Sequence, residues 1–322
     1  ATTFEMSRIM RAACHAVGAP EDIFQCIERP SIPMTQYLME SCDLTLATGG
    51  KPMVQAAYSS GKPAYGVGAG NSTIVVDETA DLNEAAKNIM TSKTSDFGSG
   101  CSADGNIVIQ KSIYSNMVSQ LKANNGYLCN STQTKLLSRV MWDDKENRTF
   151  STIACRPQQL ALLAGFEIPE NIKFLMVENN GKIGKEHKFS KEKLTTLMAL
   201  YYFDDFPDAL NIIQKIYEVG GKGHSCGIYS NSDKNIDALA RVAPVSRMMV
   251  RQPQSKSNAG SWVNGMPMTS SLGCGIWGGN ITNENVTMKH MMNYTWVSRP
   301  IQEDRPSEIE LFGEFFGQEF AL

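Results

Sequence analysis

The residues best able to do chemistry in this chain are a cysteine, a histidine and a glutamate, each set near glycines. Cys101 closes the turn Phe97-Gly98-Ser99-Gly100-Cys101. A nucleophilic thiol must be reached by its substrate, and its thiolate must be stabilised. Glycines ahead of it allow close approach, and amides following the turn can stabilise a thiolate and an oxyanion. The alternative is a small buried hydrophobe, the commonest fate of a free cysteine. His224 lies in Gly220-Gly221-Lys222-Gly223-His224-Ser225, between a helix end and a strand. Histidine is the usual acid or base near neutral pH; a capping or packing role is the alternative. Of the four histidines, His15 and His187 read as surface residues and His290 as part of a helix face, which puts His224 ahead of the rest. Glu192, in Phe189–Leu194, precedes an apolar run. It can hydrogen-bond a sugar hydroxyl or simply be solvated.

Two glycine-rich stretches suit anions. Thr48-Gly49-Gly50 falls where a strand meets a helix, and free amides at a helix N-terminus attract phosphates. Glycine there lets a ligand approach the backbone; a plain strand–helix turn is the alternative. Gly66-Val67-Gly68-Ala69-Gly70-Asn71 follows another strand. It is not G-x-G-x-x-G, and Lys87 stands where a dinucleotide fingerprint wants an acid. It reads first as a turn that needs small residues. The eight cysteines, at 14, 26, 42, 101, 129, 155, 226 and 274, include no CxxC pair. That argues against zinc ribbons and thioredoxin-type centres, and no metal site is expected.

Periodicity supplies the elements that must hold these residues. Helical spacing covers 3–16, 32–40, 52–60, 81–93, 112–123, 207–219 and 234–243. Strand-like runs occupy 44–47, 62–67, 73–76, 106–109, 173–177, 225–229 and 247–250. Strands alternating with helices at this pitch predict a parallel α/β sheet. At about 150 residues per domain, a chain of 322 residues suggests two domains. Apolar residues make up 42% and charged residues 20%, an ordinary globular balance. With 30 basic and 33 acidic side chains the net charge is −3, which disfavours a general binder of nucleic acid or membrane surfaces. No apolar run reaches the ~18 residues of a membrane span. Scattered cysteines without a leader suggest reduced thiols in a cytoplasm.

Taken together and in this order, the blocks 47–71 (ATGGKPMVQAAYSSGKPAYGVGAGN), 92–109 (SKTSDFGSGCSADGNIVI), 189–194 (FSKEKL), 220–230 (GGKGHSCGIYS) and 271–290 (SLGCGIWGGNITNENVTMKH) resemble the CoA-acylating branch of the aldehyde dehydrogenase superfamily. The resemblance implies a partial Rossmann-type cofactor domain at 1–77, an α/β catalytic domain at 78–270, and a return segment with an oligomerisation arm at 271–322. It implies that Cys101 is the nucleophile. It places Thr48, Gly49, Gly50 and Gly68 beside an NAD or NADP cofactor and Glu192 on the nicotinamide ribose. His224 matches the histidine that acylating members carry near the thiol. Hydrolytic members have a glutamate in an E-L-G-G block, which activates water; here the stretch Gly66–Ala69 has no carboxylate. Without that base water attacks the acyl-enzyme slowly, and the thiol of coenzyme A takes the acyl group instead.

The stretches Arg251–Ser255, Asn264–Pro267 and Thr295–Pro300 are most similar to acylating sulfoacetaldehyde dehydrogenases, with the succinate-semialdehyde type next and acetaldehyde third. A sulfonate needs cationic or amide donors, and Arg247, Arg251 and Lys256 are the candidates, with plain surface charges as the alternative. The resemblance also implies a homodimer or homotetramer. The chain opens at Ala1, inside a helical pattern, and is expected to be a fragment lacking upstream cofactor-domain strands, with an exposed sheet edge and no activity alone. A non-catalytic paralogue that serves as an oligomerisation partner, using the strand-like Thr295–Val297 and the tail, is the alternative from a different class.

Overall fold

The structure is a computed structural model that describes residues 2–316. It divides into two compact units, Ala1–Thr287 and Met288–Leu322. The first begins with helices α1 (Thr2–Ala16) and α2 (Ile32–Ser41), strand β1 (Thr45–Thr48), helix α3 (Lys51–Tyr58) and strand β2 (Ala64–Val67). β1 and β2 pair in parallel, Ala47 opposite Gly66. From β2 the chain crosses by Gly68–Ser72 into a larger layer. Its elements are β3 (Thr73–Val76), α4 (Leu82–Thr94), β4 (Asn106–Gln110), α5 (Tyr114–Ala123), β5 (Gly126–Leu128), α6 (Ser131–Met141), α7 (Pro157–Leu163), β6 (Phe174–Glu178), β7 (Leu197–Phe203), α8 (Phe206–Val219), β8 (Gly223–Tyr229), α9 (Asp233–Val242), β9 (Val245–Val250) and α10 (Gln254–Ser257).

β3 to β9 form one seven-stranded sheet in the order β5-β6-β7-β4-β3-β8-β9. Every neighbouring pair is parallel. Alternation along each strand sorts side chains to two cores. Ile74, Val76, Ile107 and Ile109 face α4 and α5, where Ala85, Ala86, Ile89, Met117 and Leu121 meet them. Val75, Val108 and Ala199 face the other way, against Leu137, Leu160, Ile213, Ile216 and Leu239 of α6 to α9. Both faces of the sheet are therefore covered, which is why its central strands are continuous apolar runs.

The helices begin and end where local chemistry dictates. Asp81 caps α4 by accepting from the amides of Asn83 (2.9 Å) and Glu84 (3.0 Å). Asp205 caps α8 by accepting from Asp208 N at 3.0 Å. α8 stops at Gly220, whose amide donates to Ile216 O at 3.4 Å. Asn130 and Gln133 form a reciprocal capping box at the start of α6.

Five of these elements go beyond the periodicity: β5, α6, α7, β7 and the short α10. β7 (LMALYYF) is an unbroken apolar run, and periodicity alone does not separate a buried strand of that kind from a buried helix. Thr295–Val297 corrects an expectation, because it forms no strand. Trp296 and Val297 are exposed. Three residues of high strand propensity need a neighbour to pair with, and the described residues of the second unit hold helix α11 (Glu308–Phe312) and short 3₁₀ turns instead. Part of the tail expected to act as an arm, 317–322, lies outside the described residues. No helix among them is long and apolar enough to cross a membrane.

Candidate active site

Parallel strands put all their N-terminal ends on one edge of the sheet. Four segments arrive there: Gly68–Ser72 ahead of β3, Ser99–Gly105 ahead of β4, Glu192–Thr196 ahead of β7, and Gly220–His224 entering β8. Cys101, Glu192 and His224 each lie on one of them. The turn before Cys101 is strained, since Asp96 (φ 47°) and Phe97 (φ 51°) both hold left-handed backbone. Gly70 is indispensable beside it. A Cβ there would sit 1.9 Å from the carbonyl oxygen of Cys101, so only glycine lets the two segments meet. Gly223 is constrained twice, with φ +86° and a virtual Cβ 1.9 Å from Cys274 O.

The central contact is between Cys101 and His224. His224 Nε2 lies 3.0 Å from Cys101 Sγ, and its Nδ1 lies 2.9 Å from Ser225 Oγ. His224 is fully buried and Cys101 partly so. Burial, then the negative charge of Glu192, pushes the Cys101 thiol up to about 11. Burial, then the cation of Arg247, lowers His224 to about 3. At rest the pair is thus a neutral thiol against a neutral imidazole. Glu192 accepts from the amide of Gly70 at 3.2 Å. Burial raises it to about 7, opposed by that amide and by the cations of Lys93, Lys193 and Arg148. Lys193 is itself buried and donates to Asn106 Oδ1 at 2.6 Å.

Of the expected cofactor residues, Thr48, Gly49 and Gly50 span the end of β1 and the start of α3, and Gly68 follows β2. Thr48 ends β1, and its Oγ1 lies 3.5 Å from Ser271 Oγ. Gly50 is the N-cap of α3 with no side-chain cap on the helix end, which leaves that turn to a ligand. Gly68 donates its amide to Asn280 Oδ1 at 3.2 Å. A cavity of about 620 Å³ opens beside Gly68, bounded by Lys51 and Tyr58 of α3 and by the loops through Lys222 and Trp277. Of the expected cofactor residues only Gly68 lines this cavity; an uncapped helix start and a glycine edge are features that suit the phosphates of a dinucleotide.

The three cations expected near a sulfonate separate. Arg247 is buried at 5% exposure and lies close enough to act on both Cys101 and His224. Its guanidinium, however, is engaged: Nε donates to Asn285 Oδ1 (2.7 Å), Nη1 to His224 O (3.1 Å), and Nη2 to the carbonyls of Gly273, Asn283 and Glu284. Arg251 donates to Ser230 O and Asn231 Oδ1, each at 2.8 Å. These lie past the far end of β8, about 20 Å from His224 at ~3.3 Å per residue, so the structure does not bring Arg251 to the thiol. Lys256 is exposed on α10, and no described contact joins it to Cys101.

Sequence reasoning passed over Ser225, Cys274 and Asn280. Cys274 is fully buried and acts electrostatically on Cys101. Asn280 Oδ1 accepts from the amides of both Gly68 and Cys274, tying the β2 exit to the 271–285 loop. Their signal in the sequence is position alone, inside motif blocks already singled out.

The family model for the aldehyde dehydrogenase family matches residues 1–128. A sulfoacetaldehyde dehydrogenase of an Acholeplasma species is 42% identical over 310 residues, 95% of this chain and 64% of the relative. An acylating sulfoacetaldehyde dehydrogenase of Bilophila wadsworthia is 39% identical, over 98% of this chain and 68% of that relative. The chain thus spans about two thirds of the length of these relatives. Among solved structures, an acetylating aldehyde dehydrogenase from Geobacillus thermoglucosidasius superposes with a TM-score of 0.89 at 36% identity, over 94% of this chain and 67% of that one. The chain belongs to the aldehyde dehydrogenase family, in its acylating branch.

Proposed function

We propose that this chain carries the nucleophile and the thiol-activating histidine of a CoA-acylating aldehyde oxidation, with sulfoacetaldehyde as the aldehyde. The observation that carries the reading is the 3.0 Å approach of His224 Nε2 to Cys101 Sγ. His224 takes the thiol proton as the sulfur adds to the aldehyde carbon, giving a thiohemiacetal on Cys101. A nicotinamide cofactor held by this chain would supply the acceptor for the hydride of this carbon. The acyl group then remains on Cys101 as a thioester, and the thiol of coenzyme A displaces it. Gly66–Ala69 offers no carboxylate to activate water, which favours the thiol as acceptor. Thr48, Gly49, Gly50, Gly68 and Glu192 are the proposed cofactor contacts. Residues 1–77 would serve as the cofactor-binding part, 78–270 as the catalytic part and 271–322 as the return segment and arm.

Two similarities support the substrate: the relatives named above, and the stretches 251–255 and 264–267. Of the three cations, we retain Arg247 for the sulfonate. Its donors are held by carbonyls, so it acts through charge in a buried site, where charge counts for more than in water. The test is reduced-cofactor formation with sulfoacetaldehyde, succinate semialdehyde and acetaldehyde, each with and without coenzyme A, in wild type and Cys101→Ala. CoA-dependent turnover that prefers sulfoacetaldehyde and disappears in the variant supports the reading. Preference for another aldehyde moves the substrate, and turnover without coenzyme A contradicts the acylating reading and the argument from Gly66–Ala69.

A further inference from the structure

The hydrogen bond on the far side of His224 has no role in the account so far. Ser225 is fully buried, and its main chain is fixed twice. It pairs with Arg247 across β8 and β9, and its carbonyl accepts the hydroxyl of Tyr217 at 2.7 Å. Its Oγ therefore stands in a set place, 2.9 Å from His224 Nδ1. On the other side of the ring stands Cys101 Sγ. The sulfur retains one hydrogen at neutral pH, and the acceptor within reach is Nε2 at 3.0 Å. A bare Nε2 requires the ring proton on Nδ1, and a buried N–H requires an acceptor. Ser225 Oγ is that acceptor.

Building on the assignment of Cys101 and His224 given above, we propose that Ser225 is a positioning residue: its hydroxyl accepts the Nδ1 proton of His224 and keeps Nε2 bare toward the Cys101 thiol. In the activating step the S–H bond breaks and its proton forms a bond to Nε2. The electron pair stays on sulfur, and Nδ1 keeps its own proton on Ser225. A neutral hydroxyl in this place has a further consequence. A carboxylate would stabilise the imidazolium and hold a thiolate–imidazolium pair at rest. Serine does not, and Arg247, the charged group that acts on His224, opposes that pair as well. Glu192 and Cys274 raise the thiol, with Arg247 opposing them. The thiol therefore stays protonated, and shielded from oxidation and stray electrophiles, until an aldehyde is in place.

Two measurements on the 322-residue chain decide the matter. The first is ¹⁵N imidazole NMR of the unmodified chain, with the His224 signal identified by its loss in His224→Gln. The Nδ1–H tautomer is expected near neutral pH, and the Nε2–H tautomer would overturn the proposal without any serine variant having to fold. The second is the rate and pH profile of iodoacetamide alkylation at Cys101, followed on its peptide by mass. Ser225→Ala is expected to slow it about tenfold, the rate equivalent of one hydrogen bond, and to move its midpoint to higher pH. Ser225→Thr is expected to restore both. Wild-type kinetics in Ser225→Ala, with slow kinetics in His224→Gln, would reduce Ser225 to packing. Equal loss in Ser225→Ala and Ser225→Thr would do the same. Wild-type kinetics in His224→Gln would instead remove the role of His224 on which the proposal stands.

Discussion

A thiol raised to about 11 and an imidazole lowered to about 3 sit 3.0 Å apart at the centre of the site. Two groups of this kind, one fully and one partly buried, do not readily ionise each other, because the charge separation costs more than the contact returns. The charge nearest in effect is that of Glu192, which raises the thiol. Replacing Glu192 with Gln removes that charge, so the Cys101 midpoint falls and the thiolate fraction at mildly alkaline pH rises. Alkylation of Cys101 is then expected to be faster in Glu192→Gln than in wild type, even as the proposed ribose contact weakens. An unchanged or slower rate would place Glu192 outside the field of the thiol. At this scale much was legible. Cys101 and His224 stood out because few residues of their type lay beside glycine turns. Glu192 is half-buried and accepts from the Gly70 amide, so it is not simply solvated. Ser225 was not legible. Adjacent residues of a strand face opposite ways, and nothing in the order His-Ser marks the case where the two side chains meet.

The site is carried by loops that enter the sheet and by the first residues of β8, Gly223–Ser225. Of these, Gly223 is tightly constrained. Gly223→Ala meets a left-handed backbone and the carbonyl of Cys274 together. The backbone conformation alone costs about 1–3 kcal/mol, and the collision adds to it. A lowered melting temperature and loss of the His224–Cys101 contact are expected, the latter read as slowed alkylation. Arg247 does the same work by side chain, fastening Gly273, Asn283, Glu284 and the His224 carbonyl. Arg247→Met strands these acceptors. Its expected cost is on the order of 3 kcal/mol in urea unfolding, since buried bonds to a charged donor are lost. A cost near zero would return Arg247 to a purely substrate-facing role. Periodicity found the flanking helices, each with one buried face, and short apolar runs bounded by turn residues marked strands such as β3, β4 and β8. It did not find β7, nor the far position of Arg251, which follows the C-terminal end of β9, opposite the strand edge that Cys101 approaches.

The whole molecule inherits a pH dependence from its buried groups. His224 titrates near 6.5 in an unfolded chain and at about 3 when buried. Between those values the unfolded state binds more protons, so stability falls as pH falls through that window. The loss is on the order of a few kcal/mol at its full extent. His224→Gln should flatten this acid limb of a melting-temperature profile, and an unchanged slope would assign it to other groups. The fold class was legible from the alternation of strands and helices. The separation into a small β1–β2 layer and a seven-stranded sheet was not, because the order of strands is set by packing rather than by any one segment.

The central claim is that Cys101 holds an acyl group exchangeable with coenzyme A, and it has a direct test. The chain is incubated with a simple acyl-CoA, and its mass and that of the Cys101 peptide are recorded. The thiolate attacks the thioester carbonyl, the acyl group passes to Cys101, and coenzyme A leaves as its thiol. The account predicts one acyl adduct on Cys101, removed by added coenzyme A, absent in Cys101→Ala and slowed in His224→Gln. An adduct spread over other cysteines, or a Cys101 that stays unmodified in the folded chain, would contradict it.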